Sequence, residues 1–105
     1  MLFIQYWELN EEKEAEDILA AGETLMESGL WPPEGTEIIR WDMANDYWGI
    51  TVFEADSYEA VDRGTELWRI ALPGIFTETR TAAAAPVGEV MAQHAEMIEK
   101  VPKRE

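Results

Sequence analysis

Cysteine is absent from the 105 residues, which removes disulfides, thiolate metal sites and cysteine nucleophiles. Histidine occurs once, at His94, so one chain has no pair of imidazoles for a metal site, and none is expected. Basic side chains are scarce: 8 Lys and Arg stand against 22 Asp and Glu, a formal net charge of −14. That balance argues against nucleic acid as a partner, because neutralising phosphates requires a basic stripe. The one basic cluster, Lys100, Lys103 and Arg104, lies in the tail. No run of residues is long and apolar enough to cross a bilayer. Met1 leads straight into a strand-like segment and not into a signal peptide. No membrane partner is therefore expected, and a cytoplasmic protein is the default. Gly-rich phosphate loops, GxSxG and Walker patterns are missing too, and no cofactor is expected.

Tryptophan, by contrast, is abundant, with five in the chain. The length fits one domain over residues 1–105. Charge is unevenly placed. Residues 1–62 hold 16 acids against only Lys13 and Arg40, a net −14, whereas residues 63–105 balance 6 acids with 6 bases. The acidic half could steer cationic ligands or dock a basic partner, or it could simply be solvated surface.

Residues 1–8 (MLFIQYWE) are rich in β-branched and aromatic side chains and read as a strand. Asn10 can cap a helix whose first turn carries Glu11, Glu12 and Glu14. Its apolar stripe is Ala15, Ile18, Leu19, Gly22, Leu25 and Met26, with Gly29 as the stop. Pro32 and Pro33 forbid helix in the segment that follows. Residues 36–42 (TEIIRWD) and 47–54 (YWGITVFE) form a hairpin across Ala44-Asn45-Asp46. The capping-box spacing from Asp56 to Glu59 opens a second helix through about Leu72, and Pro73-Gly74 ends it. Residues 75–82 (IFTETRTA) are a more polar strand, suited to a sheet edge. Pro86 then admits a last helix over about 87–100, with residues 101–105 as a tail.

The order β-α-β-β-α-β plus a C-terminal helix predicts an α+β chain. Right-handed crossovers give a four-stranded antiparallel sheet with two helices on one face, the ferredoxin-like arrangement. Four segments, MLFIQYW, PPEG at Pro32–Gly35, ITVFEADS and PGIFTETR, resemble the DUF3303 family over roughly residues 1–98. These are small proteins of unknown function placed among dimeric α/β-barrel proteins. The resemblance implies a homodimer and supplies no catalytic residues. Relatives of that fold include cofactor-free monooxygenases of the antibiotic-biosynthesis type.

The more uniformly apolar sheet face comprises Leu2, Ile4, Tyr6, Ile39, Trp41, Trp48, Ile50 and Val52, and it is expected to lie under the helices. The opposite face would then carry Phe3, Gln5, Trp7, Arg40, Tyr47, Thr51 and Phe53, with Ile38 and Phe76 and the charged Glu78 and Arg80. Aromatic walls with a few polar groups suit a ligand pocket and equally a subunit interface. Arg40 or Arg80 would pair with Glu78, or an arginine would hold a ligand carboxylate or enolate. His94 falls on the apolar stripe of the last helix and is packed there, a general base or a haem axial ligand. Trp31 sits in a loop, placed to lid a barrel end.

The leading expectation is a homodimer binding a small apolar or aromatic ligand in a cavity between the two sheets. The alternatives are a cofactor-independent monooxygenase or isomerase, served by His94, Tyr47 or Arg80, and a non-catalytic dimer docking through its acidic first helix.

Overall fold

Hydrophobic periodicity and helix stops divide the chain much as read above. A computed structural model describes residues 1–104. Its elements are β1 (Leu2–Leu9), α1 (Ala15–Glu27), β2 (Thr36–Ala44), β3 (Trp48–Ala55), α2 (Tyr58–Ala71), β4 (Phe76–Ala83) and α3 (Val87–Lys100). The strands form one antiparallel sheet in the order β2-β3-β1-β4. Gly29 adopts φ 76° just past α1, the left-handed conformation glycine reaches at little cost.

Two helix starts differ from expectation. Helix α1 begins after Glu14, which makes no side-chain cap bond. Asn10 instead accepts the Glu12 N–H at 2.9 Å and donates to the Gly74 carbonyl at 3.0 Å, closing a turn ahead of the helix. In α2 the cap is Ser57, whose hydroxyl accepts the Ala60 N–H at 3.2 Å, so the hydroxyl and not the neighbouring Asp56 carboxylate does the capping.

The sheet is turned over relative to the expected facing. Phe3, Gln5, Trp7, Thr51 and Phe53 are buried against the helices. Ile4 and Trp48, expected in the core, are 42% and 39% exposed. The physical reason lies in hydrogen bonding. The polar members of the buried face satisfy one another and α2: Gln5 Nε2 donates to Thr65 Oγ1 at 2.7 Å and to Thr81 Oγ1 at 2.9 Å. Burial of a polar group costs little once it is bonded, so apolar uniformity was the wrong criterion for choosing the face. Trp41 does face the helices, because a bulge between Ile38 and Arg40 shifts the register of β2. That same bulge leaves Ile39 56% exposed and brings Ile38 to the core. The core proper is Phe3, Leu25, Trp31, Phe53, Ala55 and Val61.

The other sheet face has no helix over it. It presents Ile4, Tyr6, Ile50 and Val52, which pair across β1 and β3, and Tyr6 packs on Trp48 at 6.0 Å between centroids. Arg40, Glu78 and Arg80 lie on this side. Arg40 pairs with Asp42 on its own strand. An Arg40–Glu78 pair within one chain is ruled out because β2 and β4 are opposite sheet edges. Helix α3 carries no buried residue, and the molecule measures 57 × 28 × 20 Å.

Glu8 lies directly across from Glu78 on this open face. Its hydrogen bond to the Glu78 side chain, then desolvation, raise the Glu8 pKa above the ordinary carboxylate value. The folded state therefore binds the Glu8 proton more tightly than the unfolded state does. Stability falls as pH rises through the window between the ordinary and raised pKa, and it stays lower above that window. Glu8→Gln should thus raise Tm at pH 7, with the gain shrinking as pH falls through that window and lost below the ordinary carboxylate value of about 4.3. Thermal melts across that range check it, and a gain independent of pH would contradict the assignment.

Candidate functional site

Between the helix-covered sheet face and α1 lies a cavity of about 360 Å³. Its floor depends on a missing side chain. Trp7 lies opposite Gly49 in the sheet register, and a Cβ on Gly49 would overlap the Trp7 indole and the Asp42 carbonyl. Without that carbon the indole lies across the strand. Its Nε1 donates to Thr51 Oγ1 at 3.0 Å, which fixes the ring and satisfies its one polar atom.

The second wall is a tryptophan cluster. Trp31 lies 5.3 Å from Trp41 and 5.5 Å from Trp68, and Trp41 lies 6.0 Å from Trp68, with the ring planes tilted by 50°, 73° and 63° respectively. Tilted in this way, the rings pack against one another edge to face and not as a stack. Trp31 reaches it because the chain folds back after α1: the Leu30 and Trp31 N–H groups both donate to the Leu25 carbonyl, at 3.0 and 3.2 Å. Gly64 on α2 makes room, since a Cβ there would stand 2.8 Å from Trp31 Cζ3 and 3.0 Å from Pro33 Cγ. Trp31 is thus buried, not a lid on a barrel end, and its Nε1 has no hydrogen-bond partner.

Helix α1 supplies the third wall through Ile18, Leu19, Gly22 and Met26, and Ile75 and Phe76 close the far end. Leu19 and Met26 are otherwise 66% and 48% exposed, as expected of apolar residues flanking an opening. Leu9, Glu23, Asp42 and Met43 complete the lining. Among the described residues no lysine, arginine or histidine lines the cavity, and its buried amide and indole groups Gln5 and Trp7 are already bonded. The arrangement can hold an apolar molecule by burial and shape.

The sequence-selected residues are distributed over five places. Gln5, Trp7 and Thr51 line this cavity. Phe3 and Phe53 are packed in the core. Arg40, Glu78 and Arg80 lie on the open sheet face, and Tyr47 occupies the β2–β3 turn at φ 60°. His94 lies on α3 beside Met97, Ile98 and Pro102, in a separate shallow groove. Sequence reasoning did not select Gly22, Met26, Trp31, Trp41 or Trp68 for the site. The available signal was the glycine within the α1 stripe, which sits where Trp68 of α2 approaches to 3.3 Å of a notional Cβ.

Strand order and helix placement define a ferredoxin-like α+β protein, with a half-open aromatic cavity between sheet and helices. Residues 1–98 match the family described as Domain of unknown function (DUF3303), and the chain belongs to that family. No curated protein matches it. Among solved structures it is similar to a proposed antibiotic biosynthesis monooxygenase from Nitrosomonas europaea, with 14% identity and a TM-score of 0.52, covering 82% of this chain and 97% of that one. It is also similar to an uncharacterized NIPSNAP domain protein from Burkholderia xenovorans, with 12% identity and a TM-score of 0.48, covering 83% and 95%. No described helix is long and apolar enough to cross a membrane.

The Gly49 contact makes a specific demand. Gly49→Ala should destabilise the chain by about 1–3 kcal/mol, as overpacking does, and should shift tryptophan emission to the red as Trp7 is displaced. Denaturant melts and emission spectra check both, and unchanged values would remove Gly49 from the account of the floor.

Proposed function

We propose that this protein binds a small apolar or aromatic ligand in the tryptophan-walled cavity of each chain and works as a homodimer. The observation that carries the ligand reading is the cavity itself: about 360 Å³, with four of the five tryptophans on its wall. A half-open cleft of this size exposes apolar side chains to water, and an apolar occupant would cover them. This cavity lies between sheet and α1 within one chain, whereas the sequence reading put the ligand between the two sheets of a dimer.

The dimer reading rests on the open sheet face and α3. Each exposes a continuous apolar surface, including Ile4 and Trp48 on the sheet and Met91, Met97 and Ile98 on the helix. The sheet face also carries both signs of charge, Arg40 and Arg80 with Glu8 and Glu78, as a self-complementary twofold contact requires. A cofactor-independent monooxygenase or isomerase finds less support. His94, Tyr47 and Arg80, the groups such chemistry would use, do not line the cavity, and 14% identity to the Nitrosomonas protein speaks to fold alone.

The neutral fluorescent probe N-phenyl-1-naphthylamine tests the ligand site. It should bind with enhanced emission and quench the tryptophans. Gly22→Leu, which puts a side chain into the cavity from α1, should abolish that binding while the fold is kept. Equal binding by parent and variant would place the probe elsewhere and defeat the reading. Sedimentation equilibrium tests the assembly: the parent should be a dimer and Ile4→Glu a monomer, and a monomeric parent would end the dimer reading.

A further inference from the structure

The charge on the cavity wall narrows the class of ligand. We infer that the cavity prefers a small organic cation, a quaternary or tertiary ammonium carrying an apolar or aromatic group, over neutral or anionic molecules of the same shape. This inference rests on the ligand-binding reading above.

Three observations carry it. First, the wall is built from indoles: Trp7, Trp31, Trp41 and Trp68 border one space, and three of them meet at angles of 50° to 73°. The indole quadrupole attracts a cation held over its face, by about 0.5–2 kcal/mol for each well-placed ring, and tryptophan is the best of the aromatic residues for it. Alkylated ammonium groups bind against aromatic walls in this way, because their diffuse charge is weakly hydrated.

Second, the one formal charge that the described residues place on the wall is negative. It belongs to Glu23 on α1, at the opening; Asp42 also borders the cavity, but its carboxylate pairs with Arg40 on the open sheet face. A carboxylate, phosphate or enolate would meet no cationic partner on this wall, and the uncharged Trp31 Nε1–H, which has no partner, would replace only part of its lost hydration.

Third, the surroundings have the same sign. Helix α1, which forms one wall, carries Glu16, Asp17, Glu23 and Glu27 and no basic residue. Residues 1–62 account for the whole net charge of −14. A negative field around a low-dielectric cleft concentrates cations at its mouth.

Competition against N-phenyl-1-naphthylamine provides the test. The probes are benzyltrimethylammonium, its carbon isostere neopentylbenzene, and benzoate. The isostere has the larger hydrophobic driving force, so a preference for the cation has to come from charge. At low salt, benzyltrimethylammonium should bind roughly tenfold tighter than neopentylbenzene, a ratio corresponding to about 1.4 kcal/mol, and benzoate should not compete. Glu23→Gln should weaken the cation about threefold, in line with the loss of one exposed charge, and leave neopentylbenzene unchanged. Added salt should reduce the preference. If neopentylbenzene binds as tightly as the cation, or if benzoate competes, the cation inference is wrong while the cavity reading survives. If N-phenyl-1-naphthylamine itself fails to bind, both fall together.

Discussion

The contact on which the site depends is Trp7 lying across Gly49. A side chain at position 49 would occupy the space the indole needs, and Thr51 two residues on supplies the acceptor for the indole N–H. One strand thus provides both the gap and the anchor, on the same sheet face, because strand side chains alternate with a period of two. With Trp7 held flat, the sheet gains an aromatic floor on which α1 cannot close fully, and the cavity follows. The tryptophan cluster depends in turn on a second close approach, Trp31 and Pro33 against Gly64. Two glycines, one in a strand and one in a helix, do for the site what no catalytic motif announces.

Element order, sheet topology and the two helix stops were legible in the sequence, because period, propensity and punctuation agree with one another in this chain. The facing of the sheet was not. Two alternating sets compete in β1: Leu2, Ile4 and Tyr6 against Phe3, Gln5 and Trp7. Apolar content favours the first, yet the second is buried, since Gln5 finds hydroxyl partners on α2 and β4 that lie 60 and 76 residues away. Partners so distant leave no local trace. Register carried the same difficulty: the bulge at Ile39 sends Ile38 and Trp41 to the same side, which a strict period of two forbids. The site was legible in part. Gln5, Trp7 and Thr51 belong to a chemically coherent set wherever the face is placed. Trp31 reads as a loop residue until the turn after α1 is known.

The inverted facing has a simple energetic reading. The face under the helices can hold polar groups because the chain itself satisfies them. The face left open has mostly β-branched and aromatic side chains at its centre, which only another apolar surface would cover well. A large aromatic removed from water contributes roughly 2–3 kcal/mol, so Tyr6 and Trp48 represent unspent stabilisation in a single chain. The protruding α3 adds to it, since none of its residues is buried.

The bulge in β2 bears on how such a chain keeps its associations finite. An open four-stranded sheet has two edges with unpaired backbone groups, each a template for another strand. At one edge the ladder is broken between Ile38 and Arg40, and the pairing of β1 with the other edge strand slips between Glu8 and Leu9. An incoming strand would find neither edge regular over its full length. Growth by sheet extension, which has no natural end, is thereby discouraged in favour of contacts that close on themselves.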